Sequence, residues 1–211
     1  MKLAVLGATG GVGRQIVQQA LRDGHEVVAA VRDPDRLRLH HEKLSVVRAD
    51  ALDADSLRPV VHGVDAVLSG IGSVTRKDPK RPASTSARAA VQAMTATGVR
   101  RIIVVSAGPI NQSGAGQTFV SRHVLGPLLW TLLKDAYTDL ALMERVLRNS
   151  EVDWTSVRPP RLLNGPGEGR YRHLIEAGPT GLSITRADVA RAMLDFITDE
   201  RTFRHAVGVS R

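Results

Sequence analysis

The chain contains no cysteine. That excludes disulfide cross-links and thiolate chemistry, and it is in keeping with a reducing cytoplasm, the expected location. Aromatic residues are scarce at 3%, which leaves few flat rings on which nucleic-acid bases could stack. Lysine is rare as well: five lysines stand against 24 arginines. No stretch approaches the ~18 apolar residues of a membrane span, and none is expected. The opening residues already read as a core strand, so no signal peptide is expected either. The seven histidines include adjacent His40 and His41 before a charged segment, and His62, His173 and His205 without a partner at metal-ligand spacing. No metal site and no Ser-His-Asp arrangement is expected. What is present is an ordinary globular balance of 43% hydrophobic and 24% charged residues over 211 positions, suited to one domain with a sizeable core. The net charge of +8 comes from scattered arginines, so a solvated basic surface is expected rather than a nucleic-acid interface.

The informative stretch is the first one, MKLAVLGATGGVGR. A short apolar run, Leu3 to Leu6, meets glycines at Gly7, Gly10, Gly11 and Gly13. An amphipathic stretch then carries Val12, Ile16, Val17, Ala20 and Leu21. The pattern predicts strand, tight turn and helix. Gly7 permits the turn, Gly10 lets backbone approach a diphosphate, and Gly13 lets the helix pack on the strand. Bound phosphates would face the free N–H groups and the positive end of the helix. The spacing G-x-x-G-x-x-G predicts a dinucleotide site contacted by Gly7, Thr9, Gly10, Gly11, Val12 and Gly13.

A second buried strand, EVVAAV (26–31), ends in Arg32-Asp33-Pro34. NAD-preferring folds place an acid here on the ribose 2′-hydroxyl, whereas an arginine can pair with a 2′-phosphate. Pro34 after Asp33 makes Asp33 a turn or cap residue before a short helix at 34–39, so Arg32 is read as the phosphate contact and NADP(H) as the cofactor. Arg14 is either a phosphate contact or surface charge. A third strand, 44–47, precedes Asp50 and Ala51. Asp50 is either an acceptor for the adenine amino group or a cap, with Asp53 the better cap for a helix at 54–61. A fourth strand within 63–70 ends at Gly70-Ile71-Gly72, glycines suited to close cofactor approach. The basic loop 73–85 is a flap or a solvated connection. A helix from Ser84 to Thr97 stops at Gly98, and RIIVV (101–105) forms a fifth strand before Ser106. Strands alternating with helices predict a doubly wound, mostly parallel α/β sheet. Further helices are expected at 118–133, including His123 and Trp130, and at 137–149, with Leu140, Met143, Val146 and Leu147 inward. A sixth strand (152–157), a helix capped by Thr185 with Asp188 three residues on, and an edge strand at 206–209 complete the expectation.

GATGGVGR (7–14), VRDP (31–34), RADALD (48–53), VLSGIG (67–72), VVSAG (104–108), D-x-x-x-M-E-x-x-L (139–147), DWTSVRPPRL (153–162) and ITRADVA (184–190) together make the chain resemble the atypical short-chain dehydrogenases of the NAD(P)-binding, NmrA-like kind. Within that group it is most similar to the flavin reductase/biliverdin reductase B branch. The resemblance implies a single Rossmann-like domain over 1–211, with a substrate region built from segments within 107–185. It also implies NADPH as hydride donor, Arg32 on the 2′-phosphate, and Ser106 beside the nicotinamide. Residues 158–161 would lie under the active site, with the backbone at Pro159 near the nicotinamide amide.

Two departures shape the expected chemistry. Ordinary short-chain dehydrogenases use Tyr-x-x-x-Lys, the lysine lowering the tyrosine pKa for alkoxide protonation. Here Tyr137 is followed four places on by Ala141, and Tyr171 by Ile175. A histidine often follows the paired prolines in the flavin reductase branch; this chain has Arg161. Simple ketones are therefore disfavoured. A conjugated acceptor, flavin or quinone, delocalises its developing charge, and positioning plus a nearby cation can suffice. Arg161 is that cation or a structural ion pair, Ser106 a hydrogen-bonding partner or a turn hydroxyl, and Tyr137 a proton donor or a packing residue. The alternative is a non-catalytic NADP(H) sensor of the NmrA type.

Overall fold

In the computed structural model, which describes residues 1–72, 78–108 and 133–211, the first strand β1 (Lys2–Leu6) lies at the centre of the sheet. Its side chains alternate between two cores. Leu3 and Val5 join one cluster, and Ala4 and Leu6 the other. A strand buried on both faces must be apolar at successive positions, which is why this stretch reads as an unbroken hydrophobic run.

The elements follow in order: α1 (Gly11–Arg22), β2 (Glu26–Val31), β3 (Leu44–Arg48), α2 (Ala54–Val61), β4 (Ala66–Ser69), α3 (Pro82–Thr97), β5 (Arg101–Val105), α4 (Lys134–Arg148), β6 (Asp153–Arg158), β7 (Arg161–Leu163), β8 (Arg172–Ile175), β9 (Ser183–Thr185), α5 (Arg186–Asp195) and β10 (His205–Ser210). The main sheet has the order β3-β2-β1-β4-β5-β6-β10-β8. All neighbours are parallel except β8, which runs antiparallel to β10. Helices α1 and α5 cover one face, sharing the core of Ile16, Val17, Val189 and Met193. Helices α2, α3 and α4 cover the other, through Leu57, Val60, Met94, Met143 and Leu147. This is the expected Rossmann-like α/β arrangement. Each fully buried Leu or Ile of these layers contributes roughly 1.5–3 kcal/mol relative to exposure.

Several boundaries fall where the local chemistry predicts. Asp53 caps α2, its carboxylate accepting from the Asp55 N–H. Gly98 ends α3 at φ 77°, where only glycine avoids Cβ strain. Thr185 caps α5, accepting from the Asp188 N–H at 3.0 Å and donating to Asp188 Oδ2 at 2.8 Å.

Others differ, each for a physical reason. The segment after Asp33 is a single 3-10 turn, Pro34–Arg36, rather than a helix to residue 39; Leu37 leaves the turn to enter the core. Helix α3 begins two residues earlier than expected, with Pro82 in its first turn. Its cap comes from 55 residues away: Asp139 on α4 accepts from the Ala83 and Ser84 N–H groups at 2.9 and 3.0 Å and from the Ser84 hydroxyl at 2.5 Å. Strand β10 is not an edge strand, because it is flanked by β6 and β8. The true edge, β8, is exposed along its length and so carries no hydrophobic alternation to reveal it. The short parallel pair β7–β9 was likewise unexpected. Residues 118–132 of the helix expected at 118–133, with His123 and Trp130, lie outside the described residues, as do residues 73–77 of the basic loop.

Candidate functional site

The parallel strands all end at one edge, and the strand order reverses between β1 and β4. Open α/β sheets bind ligands in the crevice created there. The turn after β1 forms its floor. Gly7 has φ +72°, and its carbonyl accepts from the Gly10 N–H at 2.9 Å. A Cβ on Gly13 would lie 2.1 Å from that carbonyl oxygen. A Cβ on Gly70 would lie 2.8 Å from the Gly13 nitrogen. Gly7, Gly13 and Gly70 thus form one backbone-on-backbone contact that admits no side chain. Gly70 is required by protein packing; at Gly72 no atom of the described residues lies within 4 Å of the Cβ position.

Helix α1 begins at Gly11 with no side-chain cap and no acid in its first turn. Gly10 and Gly11 are exposed, Thr9 is half-buried and Val12 is buried. The first-turn N–H groups and the helix dipole therefore face solvent as an anion-binding concavity. A dinucleotide diphosphate fits this cradle: glycine backbone permits approach, and the first turn of α1 carries no acid to oppose the charge.

Around the floor, the ends of β2 and β3 meet, the Ala49 N–H bonding to the Val31 carbonyl at 2.9 Å. This brings Arg32 and Asp50 to the same stretch of edge. Arg32 is exposed. Asp33 acts as the turn cap, accepting from the Asp35 N–H. Asp50 closes a local turn, its Oδ1 accepting from the Leu52 N–H at 3.0 Å, and Ala51 is half-buried. Arg14 donates to the Arg36 carbonyl at 3.2 Å, adding a second guanidinium stem on the Arg32 side.

Across the crevice lies a buried polar cluster. Glu144 on α4 is 1% exposed. Its Oε1 accepts from the hydroxyls of Ser106 (2.9 Å) and Ser156 (2.8 Å) and from Arg158 Nε (2.9 Å). Its Oε2 accepts from Arg158 (2.5 Å) and Arg148 (3.0 Å). Burial by itself would raise the Glu144 pKa. The hydrogen bond and charge of Arg158, with the two serine hydroxyls, more than offset it and hold the carboxyl below its usual value. Glu144 is therefore a carboxylate at neutral pH. Ser106, after β5, gives its one proton to Glu144 and presents only lone pairs to anything else. Pro159 is buried, and its carbonyl accepts from the Gly108 N–H at 2.8 Å, which fixes the β5 and β6 exits against each other. Arg161 is exposed at the start of β7. Tyr137 is buried on α4, and burial pushes its phenol pKa up. Tyr171 donates to Asp195 at 2.8 Å, at the far end of α5.

The candidate residues thus converge on one sheet edge in two groups: Gly7, Gly10, Gly13, Arg32 and Asp50 on one side, Ser106, Pro159 and Arg161 on the other. Sequence reasoning missed Glu144, Arg158 and Asp139 as residues with a task. A signal for Glu144 was present, because it sits between Leu140 and Leu147 on the inward stripe of α4, where a charge requires a partner.

The chain matches the NAD(P)H-binding family model over residues 7–200. It is 29% identical over 211 residues to At2g34460, an uncharacterised chloroplastic protein of Arabidopsis thaliana, covering 95% of this chain and 73% of that one. It is 31% identical to the nitrogen metabolite regulation-like protein bik4 of Gibberella fujikuroi, covering 96% of this chain and 62% of that one. Among solved structures, SP1627 of Streptococcus pneumoniae TIGR4, a candidate NADH-flavin reductase, superposes with a TM-score of 0.77 at 25% identity, covering 99% of this chain and 98% of that one. With its glycine cradle, its switch-point crevice and this family match, the chain belongs to the NAD(P)H-binding family.

Proposed function

We propose that this chain is an NADPH-dependent reductase that delivers hydride to a planar, conjugated acceptor of the flavin or quinone class. The observation that carries this reading is the state of Ser106. The Ser106 hydroxyl, which the family resemblance puts beside the nicotinamide, donates to Glu144, and neither tyrosine has a lysine four residues on. Reduction of a simple ketone needs a proton delivered to the nascent alkoxide, and Ser106 has none to give. A flavin or quinone spreads the incoming electron pair over its ring and takes its proton from solvent.

The bound dinucleotide supplies the hydride. The chain's own residues bind, orient and neutralise. The α1 N-terminus and the glycine turn hold the diphosphate, and Arg32 recognises the 2′-phosphate, with Asp50 and Ala51 beside the adenine. The Ser106 lone pairs and the Pro159 segment orient the nicotinamide amide. Arg161, exposed at the start of β7, stabilises the developing negative charge on the acceptor. Tyr137, buried on α4, acts in packing. The flavin-reductase description of SP1627 favours the acceptor class, although its name specifies NADH. The regulation-like description of bik4 favours the rival reading, a sensor that binds NADP(H) without turnover.

Spectrophotometric oxidation of NADPH over a panel of free flavins, quinones and simple ketones separates these. Turnover with the conjugated acceptors alone is expected. Ketone turnover would sink the acceptor argument. Tight NADPH binding without any turnover would move the protein to the sensor class.

A further inference from the structure

Arg186, the first residue of α5, lies across the start of α1. An ideal Cβ on Gly11 would stand 2.6 Å from Arg186 Cδ, 2.7 Å from its Nε and 3.8 Å from its Cζ. The second glycine of the Gly10-Gly11 pair is thus demanded neither by its own φ nor by the Gly7 turn. It leaves the space that the Arg186 side chain fills. Behind the guanidinium, Nη1 donates to Asn164 Oδ1 at 2.6 Å, which fixes its orientation. No carboxylate of the described residues lies within 4.0 Å of it.

This is an unfavourable place for a cation by itself. It sits at the N-terminal end of α5 and over the N-terminal end of α1, and both helix ends carry partial positive charge. Helix α1 offers no acid and no side-chain cap to offset it. Among the described residues its guanidinium has one hydrogen-bond partner, the neutral amide of Asn164. Three positive elements converging on one exposed concavity are stabilised by an anion carrying more than one charge.

We propose that Arg186 is a ligand of the cofactor diphosphate. It closes over the glycine turn from α5, so that the diphosphate is held between the α1 N-terminus and a guanidinium. Gly11 and Asn164 are positioning residues for Arg186. This role rests on NAD(P)H binding and is independent of the acceptor. It also separates two recognition tasks: Arg186 reads the diphosphate common to all the dinucleotides, and Arg32 reads the 2′-phosphate.

Calorimetric titration of the full chain with NADPH, NADH, ADP-ribose and adenosine 2′-monophosphate tests it. Arg186→Ala is expected to weaken NADPH, NADH and ADP-ribose by about ten- to a hundredfold, the range for loss of charge-assisted hydrogen bonds. Binding of adenosine 2′-monophosphate, which has no diphosphate, should change little. Arg32→Ala should instead weaken NADPH and adenosine 2′-monophosphate and leave NADH and ADP-ribose nearly unchanged. Gly11→Ala supplies a second variant. Alanine favours the helix over glycine, so thermal stability should hold, while the added methyl displaces Arg186 and reproduces the Arg186→Ala ligand pattern. Unchanged ADP-ribose affinity in Arg186→Ala, or an equal loss for all four ligands, would overturn the assignment. If the unaltered protein bound none of the four, cofactor binding itself would fail, a different result from a selective failure of Arg186.

Discussion

Replacing Glu144 by Gln removes one charge and changes almost no volume. The amide oxygen can still accept from Ser106, Ser156 and Arg158 Nε in place of Oε1. The amide nitrogen then replaces Oε2 and faces two donors, Arg158 at 2.5 Å and Arg148 at 3.0 Å. The Arg148 side chain is 48% exposed, and its share is small because water screens it. The Arg158 side chain is 6% exposed, so its guanidinium is left charged in a poorly solvated place. Breaking a buried pair from one side costs roughly 3–5 kcal/mol; the surviving bonds to the amide oxygen favour the lower end, about 3 kcal/mol. At roughly 2–4 °C per kcal/mol for a chain of this size, the midpoint of thermal unfolding should fall by about 6–12 °C at pH 7. The acid limb supplies the sign. Glu144 is depressed in the folded state, so its contribution is fully present above the ordinary carboxyl range near 4.5 and is lost as pH falls through the lowered folded value. The difference between wild type and Glu144→Gln should therefore narrow in acid. Circular dichroism melts from pH 7 downward measure both effects. A midpoint within about 2 °C of wild type at pH 7 would show that the Arg158 pair does not hold the β5–β6–α4 junction.

Asp139→Ala should cost about 2 kcal/mol in urea unfolding, because it strands the Ala83 and Ser84 N–H groups at the start of α3; an unchanged midpoint would mean that α3 is capped by other means. Gly13→Ala places a methyl 2.1 Å from the Gly7 carbonyl oxygen, and overpacking of this kind costs roughly 1–3 kcal/mol. It should lower both the melting temperature and NADPH affinity, and full affinity in a folded variant would remove the glycine contact from the site. Arg32→Ala should raise the Kd for NADPH about ten- to a hundredfold and leave NADH nearly unaffected, since one charge-assisted pair is lost; equal losses measured by titration would take the 2′-phosphate away from Arg32.

What the sequence determined by itself was everything governed by near neighbours. The glycine turn, the β2 strand at 26–31, the Asp53 and Thr185 caps and the Gly98 stop all follow from residues a few positions apart. The alternation of strands and helices then leaves few topologies open, so the doubly wound sheet and the dinucleotide crevice were legible together. The tertiary structure decided what depends on partners far along the chain. Asp139 caps a helix 55 residues away, Glu144 gathers Ser106, Ser156 and Arg158 into one buried cluster, and Gly11 makes room for Arg186. Strand β8 is recognisable only because β10 lies beside it. An isolated Glu or Arg in a helix reads the same whether it meets water or a buried partner. Its surroundings, and with them its charge state and task, exist only once the sheet has brought distant segments to a common edge.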